Sequence, residues 1–261
     1  MGRYLDKIDP QFLIDVAAGN IPGYSLIHKY GRNSNLPNGT EATITSDGVI
    51  NFLSAATTIR IKAGGDANDT AAGTGAREVT VIGSNSDGET ISEAIATAGA
   101  GASSNTTASF FRVYRAYVSA TGTYVATGLS TTGQNQDDIV IENSGGGTDL
   151  ITINQYEGQS QFGCYHIPSD KTGYLLSVVA TVSSNKESDI KMYLRDNATD
   201  TSAPVSARRL KLYLDGVVGE ATYKPHAPQL IGSNCDVWFT GIATALGTEA
   251  SIDFEILLID N

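Results

Sequence analysis

Residues 251–260 read SIDFEILLID. Ile252, Phe254, Ile256 and Leu258 fall on one side, against Asp253 and Glu255 on the other. Side chains alternate across a strand, so this period of two reads as a half-buried β-strand. The pattern recurs through the second half of the chain. In DIKMYLRD (189–196), Ile190, Met192 and Leu194 face in, while Lys191 and Arg195 face out. FGCYHIP, GYLLSVVATVS, RRLKLYLDG, EATYKPH and DVWFTGIAT have the same character, with turn residues between them. Short strands at this spacing predict an antiparallel sandwich or jelly roll over 156–261.

Residues 41–155 are β in style as well. TTIRIKA puts Ile59 and Ile61 opposite Arg60 and Lys62, and REVTVIGS alternates Val79 and Val81 with Glu78 and Thr80. Asp87–Gly88 is an Asp-Gly hairpin turn. FFRVYRAYVSA is expected to place Phe110, Tyr114, Ala116 and Val118 on one face, and SGGG joins DDIVIEN to DLITINQ as a hairpin. These segments predict a second sandwich domain.

The first forty residues differ. In DPQFLIDVAAGN, Asp9 can cap a helix, Pro10 suits its first position and Gly19 its stop. IPGYSLIHKYGRNSNLPNGT (21–40), with its glycines, prolines and asparagines, reads as an extended arm outside the β body. The fold expected is therefore all-β, antiparallel sandwich or jelly-roll modules preceded by a short N-terminal helix and an extended arm. Phe12, Leu13, Val16, Tyr24, Leu26, Ile27 and Tyr30 are its candidate attachment and subunit-contact residues.

Lys and Arg total 17 against 28 Asp and Glu, a net charge of −11. The excess is spread over both halves, so no basic face exists to track a phosphate backbone, and nucleic acid is not an expected partner. The start lacks the apolar run of a signal peptide, and no stretch reaches the length of a transmembrane helix. No membrane is expected. Cys164 and Cys235, far apart and without a CxxC, read as free thiols.

The stretch GGDANDTAAGTGAR (64–77) has the composition of a ligand loop. A dinucleotide fingerprint needs a third glycine and a following helix, but Glu78 stands there and EVTVIGS alternates as a strand. Asp66, Asn68 and Asp69 offer oxygen donors of the kind hard cations take, without the Glu that completes an EF-hand. They are a weak metal candidate, and no metal or cofactor is expected. The expectation is a long hairpin loop joining TTIRIKA to REVTVIGS, with small side chains that let another backbone approach.

NDTAAGTGAR before a Val-x-Val strand, with YSLIHKYGRN upstream, resembles a group of tailed-bacteriophage structural proteins of the marine-phage type. FFRVYRAYV, IPSDKTGYLL and the terminal ILLIDN extend the resemblance from about residue 23 to the end. It implies a virion component, made in the host cytoplasm, and brings no catalytic residue with it. A homotrimer that decorates a capsid or forms a head fibre, with the major capsid protein as partner, is the expectation that follows.

Other chemistry is thinly represented. Asp137 with Asp138, and Asp253 with Glu255, are carboxylate pairs without an evident cleft, and no G-x-S-x-G elbow occurs. No enzyme is expected. Tyr193, Tyr213, Tyr223 and Trp238 are candidate sugar-stacking residues, with a core or subunit-contact role as the other reading. They motivate the alternative of a tail- or neck-fibre host-recognition module.

Overall fold

The computed structural model describes residues 10–128, 130–183 and 185–261. A short helix, α1 (Pro10–Ala17), precedes the strands β1 (Tyr24–Leu36) and β2 (Ala42–Thr43). Next come β3 (Ile59–Ile61), β4 (Ala76–Ser84), β5 (Thr90–Ala96), β6 (Arg112–Thr121), β7 (Ile139–Asn143) and β8 (Asp149–Ile153). The chain ends with β9 (Cys164–Ile167), β10 (Lys171–Val182), β11 (Ser188–Arg195), β12 (Arg209–Val217), β13 (Gly219–Tyr223), β14 (Gln229–Ile231), β15 (Cys235–Ala243) and β16 (Thr248–Asp260). The fold is all-β with antiparallel sheets, as the alternation predicts, and α1 begins at Pro10. Asp9, the expected cap, lies outside the described residues.

Two sheets form a sandwich. One has the order β1-β16-β10-β13, with β14 also on β10; the other has the order β12-β11-β15-β2, with β9 also on β15. Their facing sides supply one core, including Leu175, Val178, Ile252, Phe254 and Ile256 from the first sheet and Ile190, Met192, Val237 and Phe239 from the second. The rings of Phe239 and Phe254 meet across it at 5.0 Å. The inward residues expected for SIDFEILLID and DIKMYLRD are these residues.

The six strands β3–β8 form two small sheets, β3-β7-β8 and β5-β4-β6, around a second core containing Ile59, Val79, Val81, Phe110, Ile141 and Ile151. Phe162, Cys164, Tyr193 and Trp238 complete this core from the outer side of the β11-β15 sheet. That sheet is therefore buried on both faces, which is why DVWFTGIAT is apolar at consecutive positions rather than alternately. The chain leaves and rejoins the sandwich at one place: Thr45 bridges Phe162, and the Gly163 N–H donates to the Ile44 carbonyl at 3.0 Å. The β3–β8 region is thus an insertion in a sandwich built from both ends of the chain.

Three expectations are corrected. The segment read as an arm outside the body is strand β1, paired with β16 from Tyr24↔Ile259 to Leu36↔Thr248. It escaped the period-two test because its buried positions carry Lys29, Gly31 and Asn33 before Leu36. Gly31 is required there, since a Cβ would lie 2.3 Å from the Gly163 nitrogen and 2.6 Å from the Ile44 oxygen. Second, TTIRIKA and REVTVIGS are not two arms of a hairpin: β3 pairs with β7, while β4 pairs with β5 and β6. Third, the single face drawn through Phe110, Tyr114, Ala116 and Val118 is broken by a bulge. Opposite the consecutive Ile82 and Gly83 stand Arg115 and Val113, so Tyr114 is the extra residue. It turns to the sandwich core, while Val113 stays with Ala116 and Val118. The Asp87–Gly88 turn and the SGGG hairpin form as expected.

Candidate functional site

The junction between insertion and sandwich holds the densest polar chemistry. Asp236 on β15 is fully buried and has three basic neighbours. Arg112 Nε on β6 donates to both of its oxygens at 3.1 Å, His166 Nδ1 on β9 lies 2.9 Å from Oδ1, and Arg195 Nη2 on β11 donates to Oδ2 at 3.0 Å. Burial alone would push the Asp236 carboxyl up, but the His166 hydrogen bond and the charges of Arg112, His166 and Arg195 outweigh it and hold it below its ordinary range. Arg112 is itself fixed by the carbonyls of Leu53, Phe111 and Ala198, each at 3.0 Å, and lies over the rings of Phe111 and Phe52. The network joins elements of the insertion to three strands of the sandwich.

An aromatic cluster adjoins it. Trp238 stacks on Tyr193 at 5.7 Å and receives Phe52 edge-on at 5.5 Å; Arg208 covers Tyr193 at 4.7 Å. Trp238 and Tyr193 are 7% and 8% exposed, so their faces are spent on this packing. A hollow of about 480 Å3 remains beside them, lined by Glu41, Thr43, Phe52, Arg208, Trp238 and Thr240. Glu41 accepts from Thr240 Oγ1 at 2.7 Å. Burial pushes the Glu41 carboxyl up, and hydrogen bonds from Thr240 and Tyr193 with the charges of Lys191 and Arg208 more than reverse this.

Of the four candidate stacking residues, the structure thus brings together Tyr193 and Trp238. Tyr213 is elsewhere, exposed on β12 and donating to Asp189 and Asp215 at 2.7 and 2.9 Å. Tyr223 packs on the sandwich core from β13. The candidate contact residues of the N-terminus are largely used within the chain. Val16 is buried, Phe12 meets Tyr24 edge-on at 5.5 Å, and Ile27 packs on the sandwich core. Leu13 and Leu26 are half-buried, and Tyr30 is exposed. Sequence reasoning missed Asp236, Arg112 and His166; a charged residue within each of three apolar strands was the available signal.

The 64–77 loop is tied down by Asp69, which is 3% exposed. Its Oδ1 accepts from the Ala76 N–H at 2.7 Å, and its Oδ2 from those of Gln136 and Asp137 at 2.8 and 3.3 Å. Asp66 Oδ1 accepts from the Asn68 N–H at 2.7 Å. These carboxylates shape backbone, and no cluster of three or more acidic, His or Cys side chains fit to hold a metal ion occurs among the described residues. The Asp253–Glu255 pair belongs to surface contacts: Asp253 bonds His28 and Glu255 bonds Ser177. Cys164 and Cys235 are free and buried, and burial pushes the Cys235 thiol up to about 12.

One flank of the sandwich is open. β12 ends one sheet and β13 and β14 line the edge of the other. Leu210, Tyr213, Val218 and Leu230 lie there, each about half exposed.

No protein-family model matches the chain, and no curated protein matches it. Among solved structures it is similar to "Structure of infectious bursal disease virus Gt strain", at 11% identity over 95% of this chain and 78% of that one, with a TM-score of 0.27. It is likewise similar to "Crystal structure of infectious bursal disease virus VP2 subviral particle", at 11% identity over 97% and 78%, with a TM-score of 0.26.

Proposed function

We propose that the protein is a non-enzymatic structural component of a tailed-bacteriophage virion, a capsid decoration or head-fibre protein. It acts by packing against further copies of itself, as a homotrimer, and against the major capsid protein. The observation that carries this reading is the open apolar flank of β12, β13 and β14. Free sheet edges with exposed apolar side chains are templates for another chain. The sequence resemblance points to the same role. Attachment through a free arm is no longer part of it, because β1 belongs to the sandwich.

The test is immunogold labelling of intact particles with antibody against residues 156–261. Gold over the head supports decoration, and particles without gold overturn the virion role. A tail- or neck-fibre module that binds host carbohydrate is the second reading, favoured by the hollow beside Trp238, where Glu41, Arg208 and Thr240 adjoin apolar walls. Gold on the tail or its fibres selects it.

A further inference from the structure

A second cleft, of about 730 Å3, opens where β1 meets the insertion. Its walls come from Ser25–Tyr30 of β1, Tyr114 and Arg115 of β6, Gln159 and Ser160, and the β9–β10 corner. Tyr114 and Tyr165 form an edge-on ring pair within it, at 4.9 Å. Among the described residues four basic side chains line the cleft and no acidic one does, in a protein of net charge −11.

Two of the four basic side chains already have carboxylate partners on the rim. His28 pairs with Asp253, and Lys171 pairs with Asp260. The other two have none among the described residues. Lys29 is 7% exposed, and its ammonium donates to the Tyr114 carbonyl. An ammonium offers three donors, and no carboxylate takes the other two. Arg115 is exposed and lies over the Tyr117 ring at 5.0 Å. A buried charge without a counter-ion is costly, and folding alone gives no reason to keep it. Burial pushes Lys29 down to about 8; Cys164 works against this and Arg115 adds to it.

The walls say what kind of anion fits. Ile82, Leu258, Pro168 and the two tyrosine rings make much of the lining apolar, while Thr90, Gln159 and Ser160 add hydroxyl and amide groups. Among the described residues no helix N-terminus, the usual cradle of a phosphate, lines the cleft. One carboxylate on a hydroxylated body with an apolar ring face matches these features.

We propose that this cleft binds an acidic sugar, with Lys29 and Arg115 taking its carboxylate and the exposed Thr90 and Gln159 meeting its hydroxyls. The site is separate from the hollow beside Trp238 and does not depend on where in a virion the protein sits.

Calorimetric titration of the full chain at neutral pH tests this with glucuronate and N-acetylneuraminate as probes, against glucose and inorganic phosphate. At least one acidic sugar is expected to bind at least tenfold more tightly than glucose or phosphate, as loss of a charged hydrogen bond implies. Arg115→Ala, at an exposed position, is expected to weaken binding about tenfold, and Lys29→Met to weaken it further. The bound sugar should also protect Lys29 from reductive methylation in the unaltered protein, a readout independent of whether Lys29→Met folds. The proposal is overturned by the absence of heat with both acidic sugars, by equal binding of glucose or phosphate, by unchanged affinity in Arg115→Ala, or by undiminished methylation of Lys29.

Discussion

Replacing Asp236 by asparagine keeps the side chain's shape and removes its charge. Arg112 and His166 then stay buried beside a neutral amide, and breaking a buried pair from one side costs about 3–5 kcal/mol. Asp236→Asn should lower the unfolding free energy from a urea titration by that amount at neutral pH. The carboxyl is held below its ordinary value in the folded protein. Its contribution is therefore present above the unfolded value of about 4 and lost as pH falls through the lower folded one. The asparagine variant should lose this acid limb of the stability curve. Lys29 behaves oppositely. Its ammonium is pushed down to about 8, so the folded state resists the charge; the cost is full below that pH and fades as pH rises toward 10.5. Lys29→Met should raise stability at pH 7 by about 1–3 kcal/mol, the loss of the Tyr114 hydrogen bond taking back part of the gain. A lower melting temperature at pH 7 would contradict this account. Neither residue announces itself in the sequence. A buried ion and a surface ion are the same letter, and only the pairing of β9, β11 and β15, with β6 packed against them, places Arg112 and His166 around Asp236.

Strand β1 is the element whose role changes most between sequence and structure. The period-two rule works for β16 because its inward positions are Ile252, Phe254, Ile256 and Leu258. It fails for β1 because its buried side faces the Gly163 and Ile44 backbone and the cleft rather than a side-chain layer. Polar and very small residues fit such a surface, and they read as loop. Removing residues 1–36 would strip β16 of one of its two partners, leaving it an edge strand on β10, and take Leu36 from the core. That truncation should be insoluble or molten, by loss of near-ultraviolet circular dichroism. Removing residues 1–20 deletes α1 and leaves β1 in place, and the sandwich should keep its melting transition within a few degrees. Gly31→Ala tests the same close approach with one methyl group, and overpacking there should cost about 1–3 kcal/mol in a urea titration. The bulge at Tyr114 was equally hidden, since an extra residue shifts a face without changing composition.

For the whole molecule, the strand content and the antiparallel all-β class were legible, because alternation and turn residues are local properties. That the first strands belong with the last was not, because pairing between residues 24–36 and 248–259 is a long-range choice. Nor was the open flank, which depends on which strands end a sheet. Leu210→Asp with Leu230→Asp alters exposed positions only, so the fold should survive. Sedimentation should then report a monomer where the unaltered protein self-associates. If both species sediment alike, the flank is not the contact between copies.

The neck at Thr45 and Phe162 has a consequence for how such a protein can change. The sandwich closes its own backbone hydrogen bonds across that bridge, and the region between adds no strand to its two sheets. The intervening region is a cassette in a socket. A different guest of any length could be seated there, provided it brings an apolar underside to cover Cys164, Tyr193 and Trp238 and one cation to meet Asp236. Lineages could exchange the exposed cargo while inheriting the mount unchanged, and an engineer could use the same port for display.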